Sequence, residues 1–211
     1  MILEINAEHP QPRRIDQAVE VLRSGGLVAY PTDSVYGIGC DITSRAAIDR
    51  LHALVRDIKG DPHHSPLSFL CHSLGAIAEY AHISDYAYRS MRRLLPGPYT
   101  FVLEATRHVP SVMRKKRKTL GIRVPDAPIP LALIEALGNP IATTSASWAD
   151  GGLIPDPWSI QDLYGHCVDL IIDGGYLYPE PTTVIDFTSD HPRLIREGKG
   201  PIDDLEIVEV L

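Results

Sequence analysis

The sequence predicts a twisted, open, mixed parallel and antiparallel α/β sheet with helices packed on it. Three observations carry that prediction. Helix-period and strand-like apolar segments alternate early in the chain, and strand-like segments cluster late. The 18 prolines sit between apolar runs and punctuate many short elements. The 211 residues are enough for one α/β core and too few for two, and no repeat or Gly/Ser linker divides them. Residues 1–211 are therefore read as a single domain.

Ile2 to Ile5 is a short strand. From Arg14 to Arg23, Ile15, Ala18, Val19 and Leu22 share one helical face, and Gly25-Gly26 stops the helix. Leu27 to Tyr30 is a buried strand broken by Pro31. Ser44 is a good N-cap for a helix that turns Ala47, Ile48, Leu51 and Leu54 inward. Leu67 to Cys71 reads as a strand, followed by helices near 74–81 and 84–95 that end at Pro96-Gly97-Pro98. Tyr99 to Ala105 and Leu120 to Val124 alternate as strands; Ile129 to Leu137 is a helix closed by Gly138. Ile141 to Thr144 is a strand, residues 147–157 form a Gly/Pro/Asp loop, and Val168 to Ile172, Thr183 to Phe187 and Leu194 to Arg196 supply the late strands.

Composition bounds the function. Hydrophobic residues at 44% and charged residues at 22% are globular values, against disorder or coiled coil. A net charge of −7 excludes a wholesale basic nucleic-acid coat and leaves room for a local basic patch. Cys40, Cys71 and Cys167 are odd in number and far apart, which fits a reducing compartment and no disulfide framework. The first residues, MILEINAEHPQPRR, lack a signal pattern, and no apolar run approaches the roughly 20 residues of a membrane span. The expectation is a cytoplasmic protein with no membrane partner.

Five segments carry possible chemistry. Pro31-Thr-Asp-Ser-Val-Tyr-Gly-Ile-Gly39 follows a buried strand. Its hydroxyls on Thr32 and Ser34, and the close approach allowed by Gly37 and Gly39, suit a ligand cradle. They equally suit a tight turn with Asp33 bonded to local amides. Lys59 opens a Gly/Pro loop, Lys59-Gly-Asp-Pro-His-His-Ser-Pro-Leu67, that is not a P-loop; its lysine reads either as a phosphate clamp or as a solvated charge. Thr143-Thr-Ser-Ala-Ser147 clusters hydroxyls at a strand end without a nucleophile elbow or a base, which rejects a serine hydrolase. Arg114, Lys115, Lys116, Arg117 and Lys118 form the one obvious footprint for RNA phosphates, leading into a strand whose Arg123 requires an anion, structural or bound. Arg196 repeats that arrangement in Leu194-Ile-Arg-Glu-Gly198. The pairs His63-His64 and Cys71-His72 lack metal-ligand spacing, so structural zinc is not expected.

Taken together, these segments resemble the YrdC-like family, the threonylcarbamoyl-AMP synthase family. The resemblance covers about residues 15–200. It rests on Pro31 to Gly39, Lys59-Gly-Asp-Pro with Ser65-Pro-Leu67, Pro96-Gly-Pro-Tyr-Thr-Phe-Val-Leu103, Thr119-Leu-Gly-Ile-Arg-Val-Pro125, Thr144-Ser-Ala-Ser147, Thr183-Val-Ile-Asp186 and Arg196-Glu-Gly198. Lys115-Lys-Arg-Lys-Thr119, Asp169 to Tyr176 and Pro181-Thr-Thr-Val-Ile-Asp186 are closest to its YciO branch.

The resemblance implies a YrdC/RibB-like sheet with a large concave, positively lined cavity. It implies a reaction in which L-threonine and bicarbonate form a carbamate that attacks the α-phosphate of ATP, expelling pyrophosphate. The product serves threonylcarbamoyladenosine modification of tRNA. Magnesium enters with ATP, and positioning with charge compensation carries the catalysis. By motif, Thr32 and Arg123 hold threonine, the arginine through the carboxylate, with Thr119 and Thr182 nearby. Lys59, Ser145, Ser147 and Arg196 meet the nucleotide.

Three departures from the synthase pattern stand out. The family's Lys-x-Arg reads Lys59-Gly-Asp61, its Ser-x-Asn reads Ser145-Ala-Ser147, and its common Asn before Pro-Leu is Ser65. A unit charge about 5 Å from a phosphate is worth roughly 3 kcal/mol at an effective dielectric near 20. Reversing its sign roughly doubles the deficit. Asp61 offers magnesium a ligand, but one carboxylate does not replace a bidentate arginine. The alternative expectation is accordingly a YciO-like protein without the synthase reaction, binding tRNA, double-stranded RNA or a nucleotide in the same cavity.

Overall fold

The computed structural model describes residues 1–59, 67–114, 118–189, 191–203, 205, 207 and 209–210. Asp61, Ser65, Lys115, Lys116 and Arg117 lie outside the described residues. After β1 (Ile2–Glu4), Pro12 opens α1 (Pro12–Arg23) at a position where its missing N–H costs nothing, and Ile15, Ala18, Val19 and Leu22 are all buried. Next come β2 (Val28–Tyr30), β3 (Gly37–Asp41) and α2 (Arg45–Lys59), whose Ser44 Oγ accepts from the Ala47 N–H at 3.3 Å. β4 (Ser68–Leu70) leads to α3 (Leu74–Tyr80), β5 (Ala81–His82) and α4 (Asp85–Leu94); Ser73 and Ser84 cap the two helices. β6 (Tyr99–Ala105), α5 (Ser111–Arg114) and β7 (Thr119–Arg123) follow. α6 (Pro128–Leu137) ends at Gly138, whose φ of 81° places it in the left-handed cap that glycine adopts freely. β8 (Ile141–Ser145), α7 (Pro157–Tyr164), β9 (Leu170–Asp173), β10 (Thr183–Asp186), β11 (Arg193–Arg196) and β12 (Glu209–Val210) complete the described chain.

The strands form one sheet in the order β1-β9-β2-β3-β8-β4-β7-β6-β10-β11-β12, with β5 against β6. Parallel pairs (β1/β9, β9/β2, β4/β7, β6/β10, β11/β12) are mixed with antiparallel ones, as the alternation predicts. One face is predominantly apolar. Ile38, Phe69, Phe101, Leu103, Ile122, Ala142 and Ile185 point there and pack with residues of α2, α3, α4 and α7. Burying side chains the size of Phe69 and Phe101 contributes about 2–3 kcal/mol each. On the other face α1 and α6 pack only against one end of the sheet, on Val28, Tyr30, Leu70, Ile141, Leu170 and Ile172.

The structure goes beyond the sequence reading in two places. Gly37 to Asp41, read up to Gly39 as a ligand cradle or a tight turn, is a central strand paired on both edges, with β2 and with β8. Residues 157–164, given no element beyond the loop that ends at 157, form a helix because Pro157 stands at its first turn and Asp156 Oδ1 accepts from the N–H groups of Trp158 and Ser159.

Candidate functional site

Strand alternation delivers a second, polar surface. Ser68 pairs with Gly121, Gly121 with Val102, and Phe101 with Ile122, which fixes the parity of every neighbour. Ser68, Thr100, Val102, Thr119, Gly121, Arg123 and Val184 therefore share the face on which α1 and α6 pack, but lie beyond those helices. All but the buried Arg123 are half-buried, in contrast to the fully buried residues of opposite parity. Gly121 keeps this surface flat, since a Cβ there would stand 2.8 Å from Ser68 Oγ. Ser145 extends it at the end of β8, opposite Gly37.

The loop between β2 and β3 reaches across this face. Thr32 Oγ1 accepts from the N–H groups of Ser34 and Val35 at 3.1 and 3.2 Å and donates to Val35 O at 2.7 Å, so Thr32 builds the turn. Asp33, which the turn reading would bond to local amides, sends its carboxylate to Arg123 Nη2 on β7. Arg123 Nη1 donates to Ser34 Oγ at 2.9 Å. Burial works against the guanidinium charge and lowers its pKa, with the Asp33 charge opposing that effect. The anion that Arg123 requires is thus a structural carboxylate. Arg123 Nε and Asp33 Oδ2 are buried without partners. The glycines of β3 serve a different neighbour from the one expected. A Cβ on Gly39 would lie 2.8 Å from the Tyr30 hydroxyl and one on Gly37 3.0 Å from its ring, and Tyr30 donates to Thr143 Oγ1 at 2.7 Å.

Arg196 borders the same face from β11. Its Nε and Nη2 donate to Thr182 O at 3.1 and 2.9 Å, Nη2 also to Thr182 Oγ1 at 3.2 Å, and Thr182 Oγ1 meets Thr100 Oγ1 at 2.9 Å. No carboxylate pairs with Arg196 among the described residues, and partial burial lowers its pKa. Lys199 Nζ donates to the Asp33 carbonyl, which adds a third cation at the rim.

A strap of residues 174–182 joins the far ends of the sheet. It is tied by Tyr36 Oη to Gly175 O (2.7 Å), by Leu177 N–H to Pro155 O (2.8 Å) and by Glu180 N–H to Ser34 O (3.2 Å). Ten Cα steps from Asp173 to Thr183 reach about 35 Å at most, and the seven strand spacings between β9 and β10 span about 34 Å on a flat sheet. With its kink at Gly175 (φ 94°), the strap closes only because the sheet curls toward it.

Thr32, Thr182, Arg123 and Arg196 are thus brought together around one loop. Thr119 lies farther along β7, about four residues or 13 Å from Arg123. Ser147 Oγ is buried without a partner in a residue 3% exposed, while its carbonyl accepts from Tyr164 Oη. Lys59 is the last residue of α2. Arg114 ends α5 and donates through Nε to Val109 O, and Lys118 O accepts from Ala105 N–H at the Thr119 end of β7. Sequence reasoning missed Asp33, Ser68, Thr100 and Lys199 as members of this surface; for Ser68 and Thr100 the two-residue alternation of their strands was the available signal. No helix among the described residues is long and apolar enough to cross a membrane.

A family model described as "Telomere recombination", covering Sua5, YciO and YrdC proteins, matches residues 20–198. The uncharacterized protein YciO of Escherichia coli is 44% identical over 200 residues, covering 94% of this chain and 95% of that protein. The threonylcarbamoyl-AMP synthase of Pyrococcus abyssi is 34% identical over 215 residues, covering 99% of this chain and 61% of that enzyme. The crystal structure of E. coli YciO superposes with a TM-score of 0.88 at 42% identity, covering 96% of this chain and 98% of that one. The P. abyssi Sua5 structure complexed with L-threonine gives 0.89 at 30% identity, covering 100% of this chain and 62% of that one. The chain belongs to the Sua5/YciO/YrdC family.

Proposed function

We propose that the polar half of the sheet face binds an amino acid and a nucleotide together, and that the protein is an L-threonylcarbamoyladenylate synthase. In this reaction the threonine nitrogen takes up bicarbonate with loss of water. An oxygen of the resulting carbamate then attacks the α-phosphorus of ATP as the bond to pyrophosphate breaks. The observation that carries the reading is Arg196, an exposed residue of β11 whose guanidinium has no carboxylate partner among the described residues and stands beside the hydroxyls of Thr182 and Thr100. A guanidinium held there offers a phosphate or carboxylate charge-assisted hydrogen bonds. The relative crystallised with L-threonine supports the amino-acid half. Magnesium enters as part of the triphosphate substrate, with Asp61 as its one proposed protein ligand.

A specific observation favours a second reading. The Ser147 hydroxyl, where the synthase pattern carries an amide, is withdrawn beneath the surface. In that case the protein keeps the site without the reaction and binds tRNA or double-stranded RNA, with Arg114, Lys115, Lys116, Arg117 and Lys118 meeting phosphates. Pyrophosphate release from ATP separates the two. Release that requires both threonine and bicarbonate supports the synthase. A silent wild type beside an active Asp61→Arg/Ser147→Asn variant shows a pocket that has lost the reaction at those positions. Cytoplasmic residence belongs to either reading.

A further inference from the structure

The strap and the start of α7 expose aromatic rings that neither the core nor the polar face uses. Four of the seven large hydrophobic side chains exposed among the described residues are Trp148, Trp158, Tyr176 and Tyr178. Leu177 anchors the strap: its side chain packs against the core, and its N–H donates to Pro155 O at 2.8 Å. The rings on either side of it turn outward and meet edge to face, their centroids 5.4 Å apart, with Tyr176 61% and Tyr178 89% exposed. Three Cα steps from Pro155 reach at most about 11 Å, so Trp158, itself 63% exposed, borders the same surface. Rings gathered in water at one place mark a contact with another molecule.

Charge says which kind. Residues 124–192 contain ten Asp and Glu and neither Lys nor Arg, although the whole chain carries 20 Lys and Arg against 27 Asp and Glu. Asp169 and Asp186 pair with Arg50 and Arg193, whereas Asp156 and Asp173 have no cationic partner among the described residues. Asp156 Oδ1 accepts from the Trp158 N–H at 3.0 Å, and Asp173 Oδ1 from the Gly175 N–H at 2.9 Å, next to Tyr176 in the chain. Burial raises the pKa of the Tyr36 phenol and the charges of Asp173 and Asp156 add to that, so both carboxylates stand near the hydroxyl that ties Gly175. Phosphates are repelled there, which sets the surface apart from an RNA site. Guanidinium groups are attracted, and they stack on Tyr and Trp rings better than ammonium groups do.

We propose that the strap and the first turn of α7 dock an arginine-rich segment of a partner protein, its guanidinium groups lying on Trp158, Tyr176 and Tyr178 with Asp156 and Asp173 alongside. The surface is independent of the synthase reading, since none of these five residues belongs to the polar half of the sheet face.

Amide-shift titration of ¹⁵N-labelled protein tests the surface with a Gly-Arg repeat peptide, a Gly-Lys repeat peptide of the same length, and oligouridylate. The Gly-Arg peptide is expected to move the amides of Asp156, Trp158 and 174–178 saturably. It should bind at least about threefold more tightly than the Gly-Lys peptide, because stacking adds to charge for arginine. Replacing Trp158, Tyr176 and Tyr178 together by Ala is expected to weaken the Gly-Arg peptide about tenfold at an unchanged melting temperature, since the removed rings are exposed. Tyr176→Phe with Tyr178→Phe should hold the affinity within about twofold, because the rings remain. Equal affinities for the two peptides, or a triple Ala variant that binds as the wild type does, overturn the proposal by reducing the surface to diffuse acidity. Tighter binding of oligouridylate at the same amides overturns it in favour of RNA. Shifts there that follow protein concentration without any peptide overturn it in favour of a second copy of the chain. No shifts at millimolar Gly-Arg peptide overturn it outright.

Discussion

An arginine in the middle of a strand requires an anion, and Arg123 finds it in Asp33, 90 residues earlier in the chain. The pair's value lies in neither charge being left alone. Arg123→Ala strands a buried carboxylate and is expected to lower unfolding free energy by about 3–5 kcal/mol, whereas an apolar pair such as Arg123→Met with Asp33→Leu recovers most of the loss. Urea midpoints of the two variants measure this, and equal destabilisation in both speaks against a charge-pairing role. Arg196 is expected to behave oppositely. It is partly exposed and donates only to Thr182, so Arg196→Ala changes stability by no more than about 1 kcal/mol. Nucleotide affinity should fall about tenfold or more, as for a lost charge-assisted bond, and titration of ATP reads it directly. Arg123 and Arg196 were legible as cations in apolar strands. The destination of Asp33 was not, because a contact across 90 residues leaves no local pattern.

The central strand β3 shows where local propensity fails. Gly37 and Gly39 read as part of a ligand cradle or a tight turn, yet their strand is paired on both edges because the glycines admit the Tyr30 ring and the neighbouring strand. A Cβ at Gly39 would stand 2.5 Å from Ile141 Cγ2 and 2.7 Å from Ala142 O. Gly39→Ala is expected to cost about 1–3 kcal/mol by forcing the backbone apart, measurable as a drop in melting temperature. An unchanged melting point would mean that β3 and β8 are not packed as described. Helix α7 went unread for a related reason. Pro157 closed the expected 147–157 loop, yet proline is tolerated in the first helical turn, and Asp156 supplies the cap. The helices with clear apolar stripes, α1 and α2, were legible because burial of one face outweighs the residues at their ends.

At the scale of the whole molecule, the two faces of one sheet divide the work. One face is predominantly apolar and holds the structure; the other is apolar mainly where α1 and α6 cover it, and its remainder carries hydroxyls and guanidinium groups. The mixed sheet was legible from alternation and punctuation, whereas its curl was not, since that depends on a strap whose length matters only once the strand order is known. Burial also sets the alkaline limit of stability. Burial pushes the Cys40 and Cys71 thiols from about 9 up to about 12 and raises the Tyr30 phenol further. These groups stay protonated in the folded chain and ionise when it unfolds, so their contribution is complete below pH 9 and is lost progressively as pH rises above it. Melting temperatures between pH 8 and 11 should fall more steeply for the wild type than for Cys40→Ala/Cys71→Ala, and parallel curves would contradict this origin. The central claim is that the uncovered polar half of the sheet face is the ligand site. Titration of ¹⁵N-labelled protein with L-threonine and a non-hydrolysable ATP analogue, followed by amide chemical shifts, tests it most directly. Saturable shifts concentrated at Ser68, Thr100, Thr119, Gly121, Ser145 and Arg196 are the result predicted. Shifts confined to the opposite face, at α3 and α4, or no shifts at millimolar ligand, would contradict it.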